Sequence, residues 1–238
     1  MKETTTLFQH GTLALLIPGL FAGTLSAGDL VKHGDTGIGT LDALNGEVIV
    51  IDGQVYQAAE DGHVYSVPDT AMMPFASVHF SDINQPKISL EGLNQDQFSN
   101  WLIEDRHLKN AFAAITLHGQ FSMVHVRVAP KQTVPFPPLT AATAHQPEFT
   151  REQVSGTVVG YFAPDLYAGA TVAGCHLHFI SDDRQFAGHL LDFQLIGGEG
   201  GVQLLPNLLL HLPTDNATFM NADIELNGLN DAINQAEH

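Results

Sequence analysis

The stretch TLDALNGEVIVIDGQVYQA, residues 40–58, constrains the fold of this chain more than any other segment. Asn45-Gly46 and Asp52-Gly53 are dipeptides typical of tight turns, and the residues between them are rich in β-branched side chains that favour strands. The pattern predicts a three-stranded meander whose middle strand begins at Glu47. Similar patterns at 61–67 and 76–82 are expected to extend the sheet.

The following segments predict more strands and few helices. A helix is predicted near 94–105, because Asn94 can cap its first turn and apolar residues recur every three or four positions. AAITLHG and FSMVHVRVAP are predicted to form a hairpin around Gly119, and strands resume after residue 150. The last residues, NDAINQAEH, predict a short terminal helix.

A proline-rich segment divides the chain and marks a candidate boundary. We therefore predict an α+β, sheet-dominated fold of two packed mixed β-sheet subdomains with few helices. Residues 1–130 form the N-terminal subdomain, 131–150 the connector, and 151–238 a C-terminal, metal-binding subdomain with the tail helix. The two subdomains are expected to act as one functional unit.

The charge balance and the cysteine count restrict partners and location. Nine Lys and Arg against 26 Asp and Glu give a formal net charge of −17, which repels phosphate backbones and excludes nucleic acid as a partner. The single cysteine, Cys175, excludes an intrachain disulfide and favours a reducing, cytoplasmic location. Pro18 and Gly19 interrupt the apolar stretch 12–29, and no segment reaches the roughly 20 apolar residues of a membrane helix. No membrane association is predicted.

The stretch GCHLHFISDDRQFAGHL, residues 174–190, contains three histidines. His176 and His178 share one face of a strand. If the chain turns back at Asp183-Arg184, His178 lies opposite His189 with Cβ atoms about 5 Å apart, and His176 lies about 7–8 Å away. Three imidazoles so placed can bind one metal ion, and three protein ligands with an open position are typical of catalytic zinc. The alternative is that the histidines are hydrogen-bonded residues of the sheet.

Other residues stand out by their surroundings. Arg127 lies among valines, where a guanidinium requires an acidic partner or an anionic ligand. Glu47 directly follows a turn, and either residue could instead belong to a structural ion pair. His125 shares a face with Arg127 and is a competing ligand, whereas Cys175 points to the face opposite the histidines. The glycine-rich stretch 33–40 is predicted to be a tight turn, because it lacks the helix and lysine of a phosphate loop.

Two of these motifs resemble the α-acetolactate decarboxylase family. They are LVKHGDTGIGTLDALNGEVIVIDGQVYQ and GCHLHFISDDRQFAGHLLDF, and the likeness runs from about Leu7 to the last residues. The resemblance implies that three histidines bind Zn²⁺ and that four further residues belong to the active site. The histidines are His176, His178 and His189, and the further residues are Thr40, Glu47, Arg127 and Glu237 of the C-terminal tail.

The resemblance also implies an activity and an assembly. The reaction is the decarboxylation of a small molecule, 2-acetolactate, to (R)-acetoin and carbon dioxide by a homodimeric zinc enzyme. Zinc serves as a Lewis acid, Arg127 binds the carboxylate, and Glu47 or Glu237 donates a proton. The residues themselves do not decide between the two glutamates.

Two other interpretations stay open on the sequence. A cupin-type metal enzyme also uses a His-x-His pair on a strand, but it expects a glutamate shortly after the second histidine, where this chain has Asp182 and Asp183. A non-catalytic small-molecule-binding module would use the histidines structurally. Metal content and acetoin formation distinguish these alternatives.

Overall fold

The structure is a computed structural model that describes residues 2–224. The predicted tail helix and Glu237 lie outside the described residues. The strands are β1 Thr6–His10, β2 Leu25–Ser26, β3 Thr36–Thr40, β4 Glu47–Ile51, β5 Gln54–Ala58, β6 Val64–Ser66, β7 Met72–Met73, β8 Phe75–His79, β9 Ile88–Glu91, β10 Ala113–Arg127, β11 Glu148–Ala163, β12 Gly174–Ser181, β13 Ala187–Leu204 and β14 Asn207–His211. The helices are α1 Leu13–Leu16, α2 Ala27–Leu30, α3 Gln95–Glu104, α4 Leu139–Ala142 and α5 Ala217–Met220, with 3₁₀ turns at Asp42–Leu44, Leu108–Asn110 and Asp165–Tyr167.

A seven-stranded mixed sheet has the order β14-β1-β8-β3-β4-β5-β6. The β1–β14 pair is parallel and the other pairs are antiparallel. The last two strands of the predicted meander are confirmed: β4 begins at Glu47, and Asp52-Gly53 is the two-residue turn to β5. The residues just before Asn45-Gly46 are not its first strand, because Asp42–Leu44 is a 3₁₀ turn and the strand that pairs with β4 ends at Thr40. The segment before it was predicted wrongly, because residues 36–40 form strand β3 and not a tight turn.

Glycines in β3 explain that error. A Cβ atom on Gly37 would lie 2.0 Å from the Ser77 carbonyl oxygen, and one on Gly39 would lie 2.6 Å from the Phe75 oxygen. Both glycines therefore allow β8 to approach β3 closely, which is a use of glycine different from a turn.

The second sheet has the order β10-β11-β12-β13-β9, and β10 also pairs with β13. The strands β10 to β13 therefore close on themselves. The predicted hairpin around Gly119 is wrong, because β10 runs without a turn from Ala113 to Arg127. A Cβ atom on Gly119 would lie 2.6 Å from the Gly197 carbonyl oxygen, so this glycine also serves close strand approach.

The core lies between and around the two sheets. Ile49 of the first sheet and Val159 and Ile180 of the second belong to one buried cluster. Val48 and Val50 pack on the opposite face of β4, which is why this strand is apolar after Glu47. The sheet-dominated α+β class is confirmed.

The predicted connector, residues 131–150, joins β10 to β11 and contains α4. Both sheets contain strands from both sides of it, and the subdomain boundaries remain a prediction from composition. The predicted helix near 94–105 is confirmed as α3, where the Asn94 side chain accepts from the Gln97 backbone N–H. No helix within residues 2–224 is long and apolar enough to cross a membrane.

Candidate functional site

The hairpin β12–β13 brings the three histidines together in the predicted register. His178 pairs directly with His189, and the Ser181 backbone N–H donates to the Phe186 carbonyl at 2.8 Å to close the turn. The Ser181 hydroxyl oxygen accepts from the Phe186 backbone N–H at 3.0 Å, which further fixes the turn. This local geometry determines which histidine faces which.

The histidine triad, defined as His176, His178 and His189, is buried and compact. The residues are 8%, 1% and 6% exposed, and their ring centroids lie 5.1–5.5 Å apart. One nitrogen from each ring lies within 4.8 Å of the others. Three imidazole nitrogens grouped in this way could hold one metal ion such as zinc.

His178 has the protonation that a metal ligand requires. Its Nδ1 donates to the Val48 carbonyl at 2.9 Å, and a carbonyl can only accept. The lone pair is therefore on Nε2, which is buried and has no hydrogen-bond partner among residues 2–224. Burial, followed by the effect of His176, lowers the pKa of His178 well below its ordinary value, so the ring is neutral at pH 7. An unsatisfied buried nitrogen is costly unless something binds it, and the triad thus fits a metal ion.

Glu47 lies beside this nitrogen and is held by backbone groups. Its Oε1 accepts from the Ala129 N–H at 2.9 Å, and its Oε2 lies 3.6 Å from His178 Nε2. The Gly46 N–H donates to the Ala129 carbonyl at 3.1 Å, so Ala129 binds the turn before β4 through its carbonyl and the Glu47 side chain through its N–H. The Thr40 hydroxyl donates to the Gly46 carbonyl at 2.8 Å and stabilises the same turn.

Arg127 reaches the triad from the end of β10. It pairs across the sheet with His189, and its Nη2 lies 3.5 Å from His189 Nε2. His125, the competing ligand, lies elsewhere: its Nε2 is 2.9 Å from Glu148 Oε2 at the surface. The described residues therefore bring Thr40, Glu47 and Arg127 to the histidines and leave His125 out.

The site opens into a cleft of about 490 Å³, counting its mouth. Its lining combines the polar site residues with apolar side chains such as Leu13, Leu16 and Phe75. The connector also lines this cleft, through Leu139, Thr143 and Gln146. This contribution was not predicted from the sequence. The available signal was Pro138, because a proline often precedes a helix and here it is the N-cap of α4.

Asp182 and Asp183, on which the cupin-type interpretation depends, do not join the triad. Asp182 accepts from the Ser155 hydroxyl at 2.7 Å, and Asp183 pairs with Arg151 at 3.3 Å in the exposed turn. Among the described residues the cluster consists of the three histidines, without the carboxylate that a cupin-type site would have shortly after the second histidine. Burial raises the pKa of the Cys175 thiol to about 11, as expected for a small core residue and not for a ligand.

Comparisons with known proteins agree on one family. The sequence matches the family model for alpha-acetolactate decarboxylase over residues 7–226. It is 37% identical over 243 aligned residues to the alpha-acetolactate decarboxylase of Lactococcus lactis subsp. lactis (strain IL1403), with 100% of both chains covered.

Solved structures show the same likeness over almost the full length. A Staphylococcus aureus protein, described as of unknown function and similar to alpha-acetolactate decarboxylase, superposes with a TM-score of 0.94 at 34% identity, covering 98% of this chain and 100% of that chain. The alpha-acetolactate decarboxylase of Bacillus subtilis strain 168 superposes with a TM-score of 0.93 at 30% identity, covering 98% and 99%.

Proposed function

The chain belongs to the alpha-acetolactate decarboxylase family, and we propose that it converts 2-acetolactate to (R)-acetoin and carbon dioxide with zinc bound by the histidine triad. One observation carries the proposal. Three buried imidazoles converge beside a cleft, and two of them, His176 and His189, line it together with the carboxyl group of Glu47 and the guanidinium group of Arg127.

The triad supplies neutral ligands to the metal. Bound there, zinc would provide Lewis-acid chemistry by polarising the ketone and hydroxyl oxygens of the substrate. The Val48 carbonyl orients His178 by accepting its Nδ1–H, as second-shell partners of zinc-binding histidines do. Because imidazole ligands are uncharged, they would not neutralise the positive charge of the bound zinc ion.

Arg127 binds the carboxylate that leaves as carbon dioxide. An anionic substrate is repelled by a chain with net charge −17, so the cleft itself must provide the attraction. The planar guanidinium donates two parallel hydrogen bonds to a carboxylate and fixes its orientation. The carbon–carbon bond that breaks is thereby held in a fixed orientation relative to the polarised ketone.

Glu47 donates the proton that replaces carbon dioxide. The electron pair left on the substrate carbon must take up a proton, and transfer from one side gives one handedness of acetoin. The Ala129 N–H holds the Glu47 carboxyl group on one side of the triad. Glu237, outside the described residues, is the second proposed carboxyl group. Thr40 acts by holding the turn before Glu47.

Two properties of the protein in the cell complete the proposal. The family resemblance leads us to propose a homodimer, and the single cysteine favours a cytoplasmic location.

The test combines metal analysis with a product assay on the purified full chain. We expect one zinc per chain, and (R)-acetoin from racemic acetolactate on a chiral gas-chromatography column. A zinc-loaded protein that forms no acetoin would overturn the proposed reaction and favour a different metal enzyme. A folded protein that binds small anions without zinc would favour the binding module.

A further inference from the structure

We propose that Gln57, on strand β5, is a positioning residue that fixes the placement of Glu47 by holding the turn 42–46. The inference rests on the proposed role of Glu47 as proton donor and names a residue on which that role depends. Gln57 pairs with Val48 across the sheet, whereas Glu47 pairs with Ala58. Because directly paired residues share a face and neighbouring residues alternate, Gln57 lies on the face of the sheet opposite to Glu47 and acts on it through the backbone.

The turn before Glu47 has a strained backbone. Ala43 and Leu44 have φ angles of 64° and 54°, which lie in the left-handed region. The Cβ atom makes this region unfavourable for both residues, and a bulky side chain such as that of Leu44 is seldom found there. Strain of this kind persists only where the surrounding structure imposes it, and it is concentrated at functional sites. The contacts that impose it here are therefore informative.

Backbone groups from distant segments provide part of this support. The Ala43 N–H donates to the Phe21 carbonyl at 2.8 Å, and the Ala43 carbonyl accepts from the Gln132 N–H at 2.8 Å. The Ala129 carbonyl accepts from the Gly46 N–H at 3.1 Å. These groups belong to the main chain, which a substitution other than proline leaves in place. The side chains that support the turn are the ones that mutagenesis can remove.

In the described part of the chain, Thr40 and Gln57 donate side-chain hydrogen bonds to carbonyl groups of this turn. The Thr40 hydroxyl bonds to the Gly46 carbonyl from within the proposed active site. Gln57 Nε2 donates to the Asn45 carbonyl at 2.7 Å. A Cβ atom on Gly46 would lie 3.1 Å from Gln57 Cγ, so this glycine leaves room for the Gln57 side chain to lie against the turn.

The bond from Gln57 acts close to Glu47 in the chain. Asn45 precedes Glu47 by two residues, and the residue between them is Gly46, which readily changes its backbone conformation. Without the donor, the Asn45 carbonyl loses its partner and the strained turn can relax by moving. The movement would displace the Glu47 carboxyl group from the Ala129 N–H, which it now accepts at 2.9 Å. Misplacing a catalytic group by about 1 Å can cost ~10²-fold in rate.

Gln57→Met tests the inference, because methionine has nearly the same length and no N–H donor. Turnover should fall at least ~10-fold, and the acetoin should be of lower enantiomeric purity. KM should stay within about threefold and zinc content should not change, because the triad and Arg127 are proposed to bind metal and substrate. Gln54→Met is the matched control: it makes the same change at the exposed start of β5 and should behave as the wild type does.

Two other substitutions separate the hydrogen bond from the shape of the side chain. Gln57→Lys restores N–H donors on a flexible chain and should recover most of the turnover and the handedness of the product. Gln57→Glu keeps the shape of glutamine but has no donor when ionised, so it should resemble Gln57→Met and replaces it if that variant does not fold. Equal losses in the lysine and methionine variants would show that Gln57 acts by packing and would overturn the inference.

Hydrogen exchange follows the placement of Glu47 independently of the reaction. The Ala129 N–H donates to Glu47 Oε1, so its amide should exchange at least ~10-fold faster in Gln57→Met than in the wild type or in Gln54→Met. An Ala129 amide that exchanges at the wild-type rate in Gln57→Met would overturn the inference, whatever the turnover. If the wild type makes no acetoin and the amide still exchanges faster in Gln57→Met, the proposed reaction fails and the positioning of Glu47 by Gln57 is supported.

Discussion

Replacing Glu47 by glutamine removes the proton donor and keeps the shape of the side chain. The amide oxygen can still accept from the Ala129 N–H, which the carboxylate oxygen accepts at 2.9 Å. A hydrogen bond to a charged group is worth about 1 kcal/mol more than a neutral one, so unfolding should become easier by about that amount. The fold should therefore remain intact.

The effect on the rate should be much larger than the effect on stability. A positioned general acid contributes roughly 10²–10⁴ in rate, which is about 2.7–5.4 kcal/mol of the activation barrier. An amide cannot supply a proton, and water has restricted access because Glu47 is only 8% exposed. We expect Glu47→Gln to lose at least ~10²-fold in turnover and to make acetoin of lower enantiomeric purity.

The assay measures turnover and metal on the same preparation. Acetoin is quantified with its handedness, and zinc per chain is measured by atomic emission, because the triad rather than Glu47 is proposed to bind the metal. Glu60→Gln is the matched control: it makes the same chemical change on an exposed residue outside the cleft. It should behave as the wild type does.

One result would refute this assignment. If zinc-loaded Glu47→Gln turns over within about threefold of the wild type, or about 0.7 kcal/mol, and gives the same handedness, Glu47 is not the donor. The proton would then have to come from another carboxyl group, and Glu237 is the remaining candidate.

The remaining predictions concern the ligands, the arginine, the tail and acid stability. His189→Ala should lower zinc content and acetoin formation together; full zinc retention would show that the hairpin register does not build the site. Arg127→Lys should keep the fold and the zinc but lose most activity, because an ammonium group cannot bind a carboxylate through two fixed donors; near wild-type turnover would make Arg127 a structural residue. Deleting residues 229–238, which include Glu237, should leave a folded, zinc-loaded chain that is at least ~10²-fold slower and makes acetoin of unchanged handedness. An unchanged rate would exclude the tail from catalysis, and racemic product would transfer the donor role to Glu237. Burial lowers the pKa of His79 to about 4, so the unfolded chain binds this proton first and stability should fall as the pH decreases from about 6.5 to 4. The contribution is up to about 3 kcal/mol, and chemical denaturation of His79→Gln should show a weaker pH dependence over that range if the assignment is correct.

The local parts of the fold could be predicted from the sequence, because the interactions that decide them join nearby residues. Asp52-Gly53 specifies a two-residue turn, and the strands on either side then pair in only one register. The turn at Asp183-Arg184 likewise fixes His178 opposite His189. A metal cluster built on one hairpin is therefore open to prediction from one short segment.

The role of a glycine could not be predicted from the sequence where the atoms that constrain it are distant along the chain. Gly119 was interpreted as a turn, and its actual constraint is the backbone of Gly197 on another strand. Gly37 and Gly39 are constrained in the same way by β8. Glycine permits both a turn and a close approach, so a single sequence cannot distinguish them without the identity of the neighbouring strand.

The hydrogen bond that holds the Glu47 side chain could not be predicted from the sequence, for a related reason. The side chain is held by the backbone N–H of Ala129, and every residue type except proline offers that group. The carboxyl group can therefore be recognised in the sequence, because its chemistry depends on the residue type. The backbone N–H that positions it cannot. Ala129 lies two residues before the proline-rich connector, whose residues Leu139, Thr143 and Gln146 line the same cleft. The stretch 129–146 thus holds the proposed donor at its start and lines the pocket further along. Changes in the connector should consequently alter the placement of Glu47 and the shape of the cleft together, although no residue between 131 and 150 belongs to the proposed catalytic set.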